Sequence, residues 1–304
     1  MQPTRRDMLL GLGGVGAAAA LRQNTGGRPG TPSVTAVARR RIPATGELLP
    51  MIGLGTSRTF NVADDGVATL VPVFEAFLAA GGTLIDSSPM YGKAERVVGD
   101  LVRRTGRDDL FFATKVWTDE GRDAGVAQMN ASIARMRAPV MDLMQIHNLV
   151  DWKTHLPTLR DWKERGRIRY IGITEMRDFE LVETLVTTEA LDFIQIPYSL
   201  GDRRVEERVL PAARDHDTAV LVMRPFERGR LFGRFEGVGV PAWAREIGIT
   251  SWAQLFLKFV LAHPAVTCPI PATSKVHHLR DNMGAGVGPL PDEAMRTRML
   301  ELLA

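Results

Sequence analysis

Short apolar stretches alternate with longer stretches of helical periodicity along most of this chain. The short stretches place Val, Ile and Leu at consecutive positions, which is typical of strands buried on both faces of a parallel sheet. Eight strands are predicted on this basis: Met51–Gly55, Thr83–Asp86, Leu110–Lys115, Leu143–His147, Tyr170–Thr174, Phe193–Pro197, Ala219–Met223 and Thr267–Ile270. The helices predicted between them are Val67–Ala80, Ala94–Arg104, Val126–Arg137, Thr154–Arg165, Asp178–Thr187, Val205–His216 and Ser251–Ala262.

Eight strand–helix units with no low-complexity linker indicate an α/β fold. They favour a closed (β/α)₈ TIM barrel over two doubly wound halves. The segment Arg41–Pro50, with a turn at residues 45–47, is predicted to form a β-hairpin that closes the bottom of the barrel. Arg224–Val240 is the only extended irregular segment, and it follows the seventh strand. A loop of that length at the site-bearing face indicates a functional role.

The first 38 residues do not share this pattern. Thr4–Leu10 resembles a twin-arginine (Tat) export signal, and a weakly apolar run follows it. Ala36-Val37-Ala38 offers a cleavage site, and Ala18-Ala19-Ala20 is an alternative one. We predict a signal peptide and linker at residues 1–38, export by the Tat machinery to the periplasm or beyond, and a barrel domain at residues 39–304. A disordered basic tail is the other interpretation of this segment.

A glycine motif inside the same segment points misleadingly to a nucleotide-binding fold. Gly11–Gly16 matches the dinucleotide fingerprint G-x-G-x-x-G. That fingerprint requires a preceding strand and an acidic residue roughly 20 positions later. Two arginines precede the motif here, and Gly30–Ala38 contains no carboxylate. We therefore reject a Rossmann site at this position.

Charge and cysteine content exclude several classes of function. The chain has 38 basic and 35 acidic residues, and without residues 1–38 the counts become 38 − 4 = 34 and 35 − 1 = 34. A nearly neutral domain gives no indication of nucleic-acid binding. Cys268 is the single cysteine, so neither an intramolecular disulfide nor a cysteine metal site is expected. The scattered histidines lack metal-ligand spacing, so we predict no metal site, and no membrane span in the mature chain.

Four polar residues near the carboxyl ends of successive predicted strands suggest an acid–base site: Asp86, Tyr91, Lys115 and His147. A free phenol has a pKa of about 10 and donates its proton reluctantly at neutral pH. A nearby cation shifts that pKa downwards, so Lys115 is predicted to tune Tyr91, with Asp86 holding the lysine. His147 is predicted to orient and polarise a substrate carbonyl. The alternative is a structural Asp86–Lys115 ion pair in a barrel of another function.

The spacing Asp-x₄-Tyr, together with Lys115 and His147, resembles the tetrad of the aldo-keto reductases. The resemblance runs in family order from about Arg41 to Gly286. Its other elements are Ile52-Gly53-Leu54-Gly55-Thr56, Tyr91-Gly92-x-x-Glu95, Gly166-x-Ile168-Arg169-x-Ile171-Gly172, Gln195-x-Pro197-Tyr198, and Ile270–Lys275 followed by Leu279-x-x-Asn282.

The resemblance implies a nicotinamide dinucleotide bound in extended form without a Rossmann unit. Lys275, with Arg280 or Arg230 as further candidates, favours NADP(H) over NAD(H) because cations bind a 2′-phosphate. Three positions depart from the family pattern, namely Glu175, Arg224 and His278. The cofactor contacts that the resemblance implies are Gly55, Thr56, Asp86, Thr174, Gln195, Arg224, Pro225, Arg230, Ser274, Lys275, His278, Asp281 and Asn282.

The implied function is that of an exported reductase that converts an aldehyde or ketone to an alcohol with NAD(P)H. A cofactor-binding redox sensor or regulatory subunit with slow turnover is the alternative. The expected partner is a small carbonyl substrate. Its identity, the direction of the reaction in the cell and the oligomeric state are not determined by the sequence, because loop shape decides the first of them.

Overall fold

A computed structural model of the protein describes residues 36–107 and 109–303. The proposed Tat motif and the alternative cleavage site at residues 18–20 lie outside the described residues. The chain enters the described part through two short antiparallel strands, β1 (Arg39–Arg41) and β2 (Leu48–Pro50), in which Arg40 pairs with Leu49.

Eight parallel strands then form one sheet in which the order along the sheet equals the order along the chain. The sheet closes on itself, because Gly53 N donates a hydrogen bond to Pro269 O at 3.0 Å and Gly55 bridges to Ala272. The predicted (β/α)₈ barrel and its eight strands are confirmed. The strands are β3 (Leu54–Gly55), β4 (Leu84–Asp86), β5 (Phe111–Val116), β6 (Met141–Ile146), β7 (Ile168–Thr174), β8 (Phe193–Pro197), β9 (Ala219–Met223) and β10 (Val266–Pro269).

The helices of the described residues are α1 (Val67–Ala79), α2 (Ala94–Thr105), α3 (Gly121–Met136), α4 (Trp152–Glu164), α5 (Phe179–Thr188), α6 (Val209–Asp215), α7 (Arg230–Arg234), α8 (Trp252–Leu261), α9 (Val276–Gly284) and α10 (Glu293–Glu301). Seven of them match predicted helices. Helix α7 interrupts the segment predicted to be irregular, and α9 and α10 were not predicted. In α10 only Met299 is buried, so this helix has no apolar stripe for a periodicity argument to detect.

The barrel interior is filled with side chains. The rings of Phe111, Tyr170 and Phe193 contact one another there, with centroids 5.8 Å apart for Phe111–Tyr170, 6.0 Å for Phe111–Phe193 and 5.4 Å for Tyr170–Phe193. Ile42 and Leu49 of the N-terminal hairpin are buried in the same cluster. The hairpin therefore packs into the barrel, as predicted. A second and larger cluster fills the space between the strands and the helices, so both faces of the sheet are covered.

The residues just before the first strand are part of the packed domain. Val37 N donates to Ala80 O at 3.1 Å, and Ala38 N donates to Gly286 O at 2.8 Å. The Val37 side chain is 5% exposed and belongs to the core between strands and helices. Ala36–Ala38, placed with the leader by the sequence interpretation, thus contact the barrel directly.

In the described part of the chain, no helix is long and apolar enough to cross a membrane. The same residues contain no group of three or more His, Cys, Asp and Glu side chains arranged to hold a metal ion.

Candidate active site

A cavity of about 1010 Å³ opens at the carboxyl ends of the barrel strands. This is the face at which the loops after parallel strands converge, so the fold itself assembles the site from distant parts of the sequence. The predicted site residues that line the cavity are Gly55, Thr56, Asp86, Tyr91, His147, Gln195, Arg224, Pro225, His278, Asp281 and Asn282.

A buried ion pair forms the floor of the site. Lys115 Nζ donates to both oxygens of Asp86, at 2.8 and 2.7 Å, and to Ser87 O at 2.7 Å. Both side chains are almost fully buried, at 1% and 2% exposure. The side-chain amides of Gln145 and Gln195 also donate to Asp86, at 3.2 and 3.5 Å. These contacts hold the lysine at one position, since its three donor hydrogens are all used.

Tyr91 ends a short 3₁₀ helix, Pro89–Tyr91, which Ser88 caps by accepting a hydrogen bond from Met90 N at 3.1 Å. The Tyr91 ring lies 5.4 Å from Lys115 Nζ and meets the His147 ring edge-on at a centroid distance of 5.8 Å. Burial raises the pKa of Tyr91 above its usual value, whereas the Lys115 charge lowers it. The lysine therefore acts in the predicted direction, but desolvation of the phenol outweighs it.

His147 follows β6 and is buried. Its Nδ1 lies 2.9 Å from Ser88 Oγ. Burial, reinforced by the charge of Lys115, lowers the pKa of His147 to about 3. The imidazole is consequently neutral at any physiological pH, and one ring nitrogen is free to donate a hydrogen bond without carrying a charge.

Four predicted cofactor contacts do not line this cavity. Thr174 is buried beneath it and accepts a hydrogen bond from Asn148 N at 3.0 Å. Arg230 is exposed and pairs with Glu227 at 2.5 Å. Ser274 and Lys275 are exposed immediately before α9, the helix that carries His278, Asp281 and Asn282 into the cavity.

The three departures from the family pattern have different structural outcomes. The Glu175 carboxylate folds back on its own loop and accepts hydrogen bonds from Met176 N and Arg177 N at 2.7 and 2.8 Å. The backbone N–H groups of its own loop therefore satisfy the Glu175 carboxylate. Arg224 and His278 both line the cavity, Arg224 directly after β9 and His278 from α9.

Three further polar residues contribute to the site and were not predicted individually. Ser57 lines the same cavity as Tyr91, Ser88 Oγ lies within hydrogen-bond distance of His147 Nδ1, and the Gln145 side-chain amide donates to Asp86. Gln145 carried a signal in the sequence, because it is a polar residue inside the short apolar run Leu143–Ile146, two positions before His147. The contacts of Ser57 and Ser88 depend on how neighbouring loops are packed, which no local pattern encodes.

Comparison with known proteins identifies one family that matches most of the chain. Residues 51–298 match the Aldo/keto reductase family. An aldo-keto reductase of Bacillus subtilis, YhdN, is 31% identical over 210 residues, which cover 64% of this chain and 63% of that protein. The NADH-specific methylglyoxal reductase of Escherichia coli is 28% identical over 259 residues, 73% of this chain and 78% of that protein. The aldo/keto reductase of Klebsiella pneumoniae, solved with NADP and acetate, has a TM-score of 0.74 at 25% identity, over 88% of this chain and 95% of its own.

Proposed function

This chain belongs to the aldo/keto reductase family and is an NAD(P)H-dependent reductase, and we propose that it reduces an aldehyde or ketone to an alcohol at the cavity described above. The observation that carries the proposal is the convergence of Tyr91, His147 and the buried Asp86–Lys115 pair, with the Tyr91 ring 5.4 Å from Lys115 Nζ and 5.8 Å from the His147 ring. Together they supply a proton donor, a neutral hydrogen-bond donor and a fixed cation, which are the groups that carbonyl reduction requires.

The cavity suits a nicotinamide cofactor. Within the described residues, Gln195 Oε1 is buried and has no hydrogen-bond partner. An unpartnered buried acceptor is costly, and a carboxamide N–H is the kind of donor that would satisfy it. Gln195 and Asp86 would hold the nicotinamide end, and His278, Asp281 and Asn282 the adenosine end. The bound reduced cofactor supplies a hydride to the carbonyl carbon.

The chain's own residues supply the proton for the carbonyl oxygen and stabilise the negative charge that develops during reduction. Neutral His147 donates a hydrogen bond that orients the carbonyl oxygen and stabilises negative charge developing on it. Tyr91 delivers its phenolic proton to that oxygen as the alcohol forms. Lys115 stabilises the phenolate that remains, and Asp86 holds the lysine in place.

The cofactor is NADP(H) in preference to NAD(H). The Klebsiella structure contains NADP, and cationic side chains of this chain lie near the start of α9, where Lys275 precedes His278. The Escherichia coli relative is NADH-specific. A quantitative comparison of both cofactors is therefore part of the test.

The test uses residues 36–304, titrated with NADPH and NADH by fluorescence and then assayed against a panel of aldehydes. We expect saturable NADPH binding and NADPH consumption in the intact protein. Tyr91→Phe should abolish reduction and leave NADPH binding unchanged, because the phenol donates the proton and does not hold the cofactor. Undiminished turnover in Tyr91→Phe would overturn the assignment of the acid. Tight binding without consumption by the unaltered protein would favour a cofactor-sensing role.

A further inference from the structure

One buried carboxylate close to the proposed acid has no part in the chemistry described above. Glu95 belongs to the sequence motif Tyr91-Gly92-x-x-Glu95 and lies in the first turn of α2. Its side chain is only 1% exposed. A carboxylate is costly to bury unless it is paired and hydrogen-bonded, so its partners show which parts of the fold it joins.

The Glu95 carboxylate joins three elements of the barrel. Its Oε1 accepts a hydrogen bond from the fully buried Thr114 Oγ1 on β5 at 2.6 Å, and its Oε2 accepts one from Arg135 on α3 at 3.2 Å. Helix α3 can approach α2 this closely because α2 carries Gly99, where a Cβ would lie 2.0 Å from Arg135 O. The start of α2 is therefore fixed against β5 by a charge-assisted hydrogen bond, with an arginine opposing the charge.

The segment that carries the proposed acid is bonded to β5 at both of its ends. At its start, Ser87 N donates to Ala113 O at 2.9 Å, and Ser87 O accepts from Lys115 Nζ at 2.7 Å. At its end, Glu95 accepts from Thr114. The three strand residues involved are consecutive, so one short stretch of β5 holds both ends of the segment. The position of the acid relative to Lys115 therefore depends on both attachments.

The distance between Tyr91 and Lys115 is important for proton delivery. Lys115 Nζ lies 5.4 Å from the centre of the Tyr91 ring. The attraction between an ammonium group and the phenolate that forms when the proton leaves weakens with distance. A reacting group misplaced by about 1 Å can cost roughly a hundredfold in rate. A residue that fixes this distance therefore contributes to the reaction without taking part in it.

We propose that Glu95 is a positioning residue: through its hydrogen bond with Thr114 it holds the segment that carries Tyr91 against β5, and so sets the distance from the phenol to Lys115. The proposal rests on the reductase function proposed above. Neither Glu95 nor Thr114 lines the cavity, so both act through the segment between them and the acid, and not by contact with substrate or cofactor.

The test uses two substitutions that separate the hydroxyl of Thr114 from its shape, with NADPH and 4-nitrobenzaldehyde as the substrates. Thr114→Val keeps the shape and removes the hydroxyl, and we expect it to lower kcat/KM about tenfold with an unchanged Kd for NADPH. Thr114→Ser keeps the hydroxyl and should retain most of the activity. As a control, Thr158→Val removes a buried hydroxyl on α4 and should leave kcat/KM unchanged.

Two further measurements distinguish positioning from a loss of folded protein. In Thr114→Val the solvent deuterium isotope effect on kcat/KM should increase, because proton transfer from a displaced phenol limits the rate more strongly. A smaller folded fraction would lower the rate and leave that ratio unchanged. In a Glu95→Leu background, Thr114→Val should have little further effect on kcat/KM, because both changes remove the same hydrogen bond.

Several results would overturn the role of Glu95. They are undiminished kcat/KM in Thr114→Val, an equal loss in Thr114→Ser, an unchanged isotope effect, and equal losses from Thr114→Val with and without Glu95. A Thr114→Val protein that does not fold would also overturn it, since the bond would then serve stability alone. In each case reduction by the unaltered protein shows that the reductase function stands. An unaltered protein that reduces no aldehyde would count against the reductase function, and this proposal would fail with it.

Discussion

Ser88 Oγ lies 2.9 Å from His147 Nδ1 and also accepts a hydrogen bond from Met90 N at 3.1 Å. Because the serine oxygen already accepts the backbone N–H, its own hydroxyl hydrogen is available for the imidazole. We infer that His147 Nδ1 accepts this hydrogen, which places the proton of the neutral ring on Nε2. Ser88 is in this way a positioning residue that selects the tautomer with which His147 donates to a carbonyl.

Replacing Ser88 by alanine should allow the neutral His147 ring to carry its proton on either nitrogen. We expect nitrogen NMR of the unaltered protein to show Nε2 protonated and Nδ1 unprotonated, and Ser88→Ala to show a mixture. Loss of one such hydrogen bond corresponds to roughly 1 kcal/mol, so kcat/KM should fall about five- to tenfold.

A double-mutant cycle separates this role from the capping of the helix that carries Tyr91. In a His147→Gln background, Ser88→Ala should have little further effect on kcat/KM if Ser88 acts through the histidine. Equal losses in both backgrounds would show that Ser88 matters only as the cap.

Removing one partner of the buried Asp86–Lys115 pair should destabilise the fold as well as stop catalysis. Lys115→Met leaves a carboxylate in a site that is 2% exposed, and breaking a buried pair costs about 3–5 kcal/mol. The double variant Asp86→Asn/Lys115→Met removes both charges and should recover much of the free energy of unfolding, measured in urea, without recovering activity. A double variant as unstable as Lys115→Met would show that packing, and not charge, is responsible.

The stability of the domain should fall as the pH falls from about 6.5 to 4, in part because of His263. Burial, and then the positive charge of Arg296, lower the pKa of His263 to about 4. The unfolded chain binds this proton at its ordinary pKa of about 6.5, so acid favours unfolding throughout that window. Between pH 7 and pH 4, the free energy of unfolding of the His263→Asn variant should fall by roughly 2 kcal/mol less than that of the unaltered protein. Urea unfolding at several pH values measures this, with exposed His277→Asn as the control, and identical pH dependence in all three proteins would contradict the prediction.

The packing of Val37 predicts where a leader can be removed without loss of stability in the barrel domain. A chain that begins at residue 39 lacks the buried valine and should be less stable by about 2 kcal/mol than one that begins at residue 36. For a domain of this size, that corresponds to a fall in Tm of roughly 5 °C. Val37→Ala in the longer chain should produce a smaller fall.

We propose that the protein is exported, and mass spectrometry of exported protein then distinguishes the two predicted cleavage sites. We expect a mature chain that retains Val37. Equal stability of the chains beginning at residues 36 and 39 would remove the basis for this expectation.

The sequence by itself determined the barrel and the identity of its chemical groups. Buried parallel strands must be apolar along their whole length, so each strand was visible locally, and a polar residue at its end stood out against that background. Asp86, Lys115 and His147 could be found for this reason, and their meeting follows from the topology, since all parallel strands end at one face.

Only the tertiary structure decided how those groups behave. The pKa of Tyr91 depends on burial as well as on Lys115, and burial is a sum over many elements that no local pattern contains. The hydrogen bond between Ser88 and His147 joins loops that are far apart along the chain. Helix α10 has Met299 as its one buried residue, so its own sequence carries no apolar stripe that predicts a helix. Local pattern indicated the eight strands and seven of the helices, whereas desolvation, charge proximity and loop contacts exist only once the chain has closed on itself.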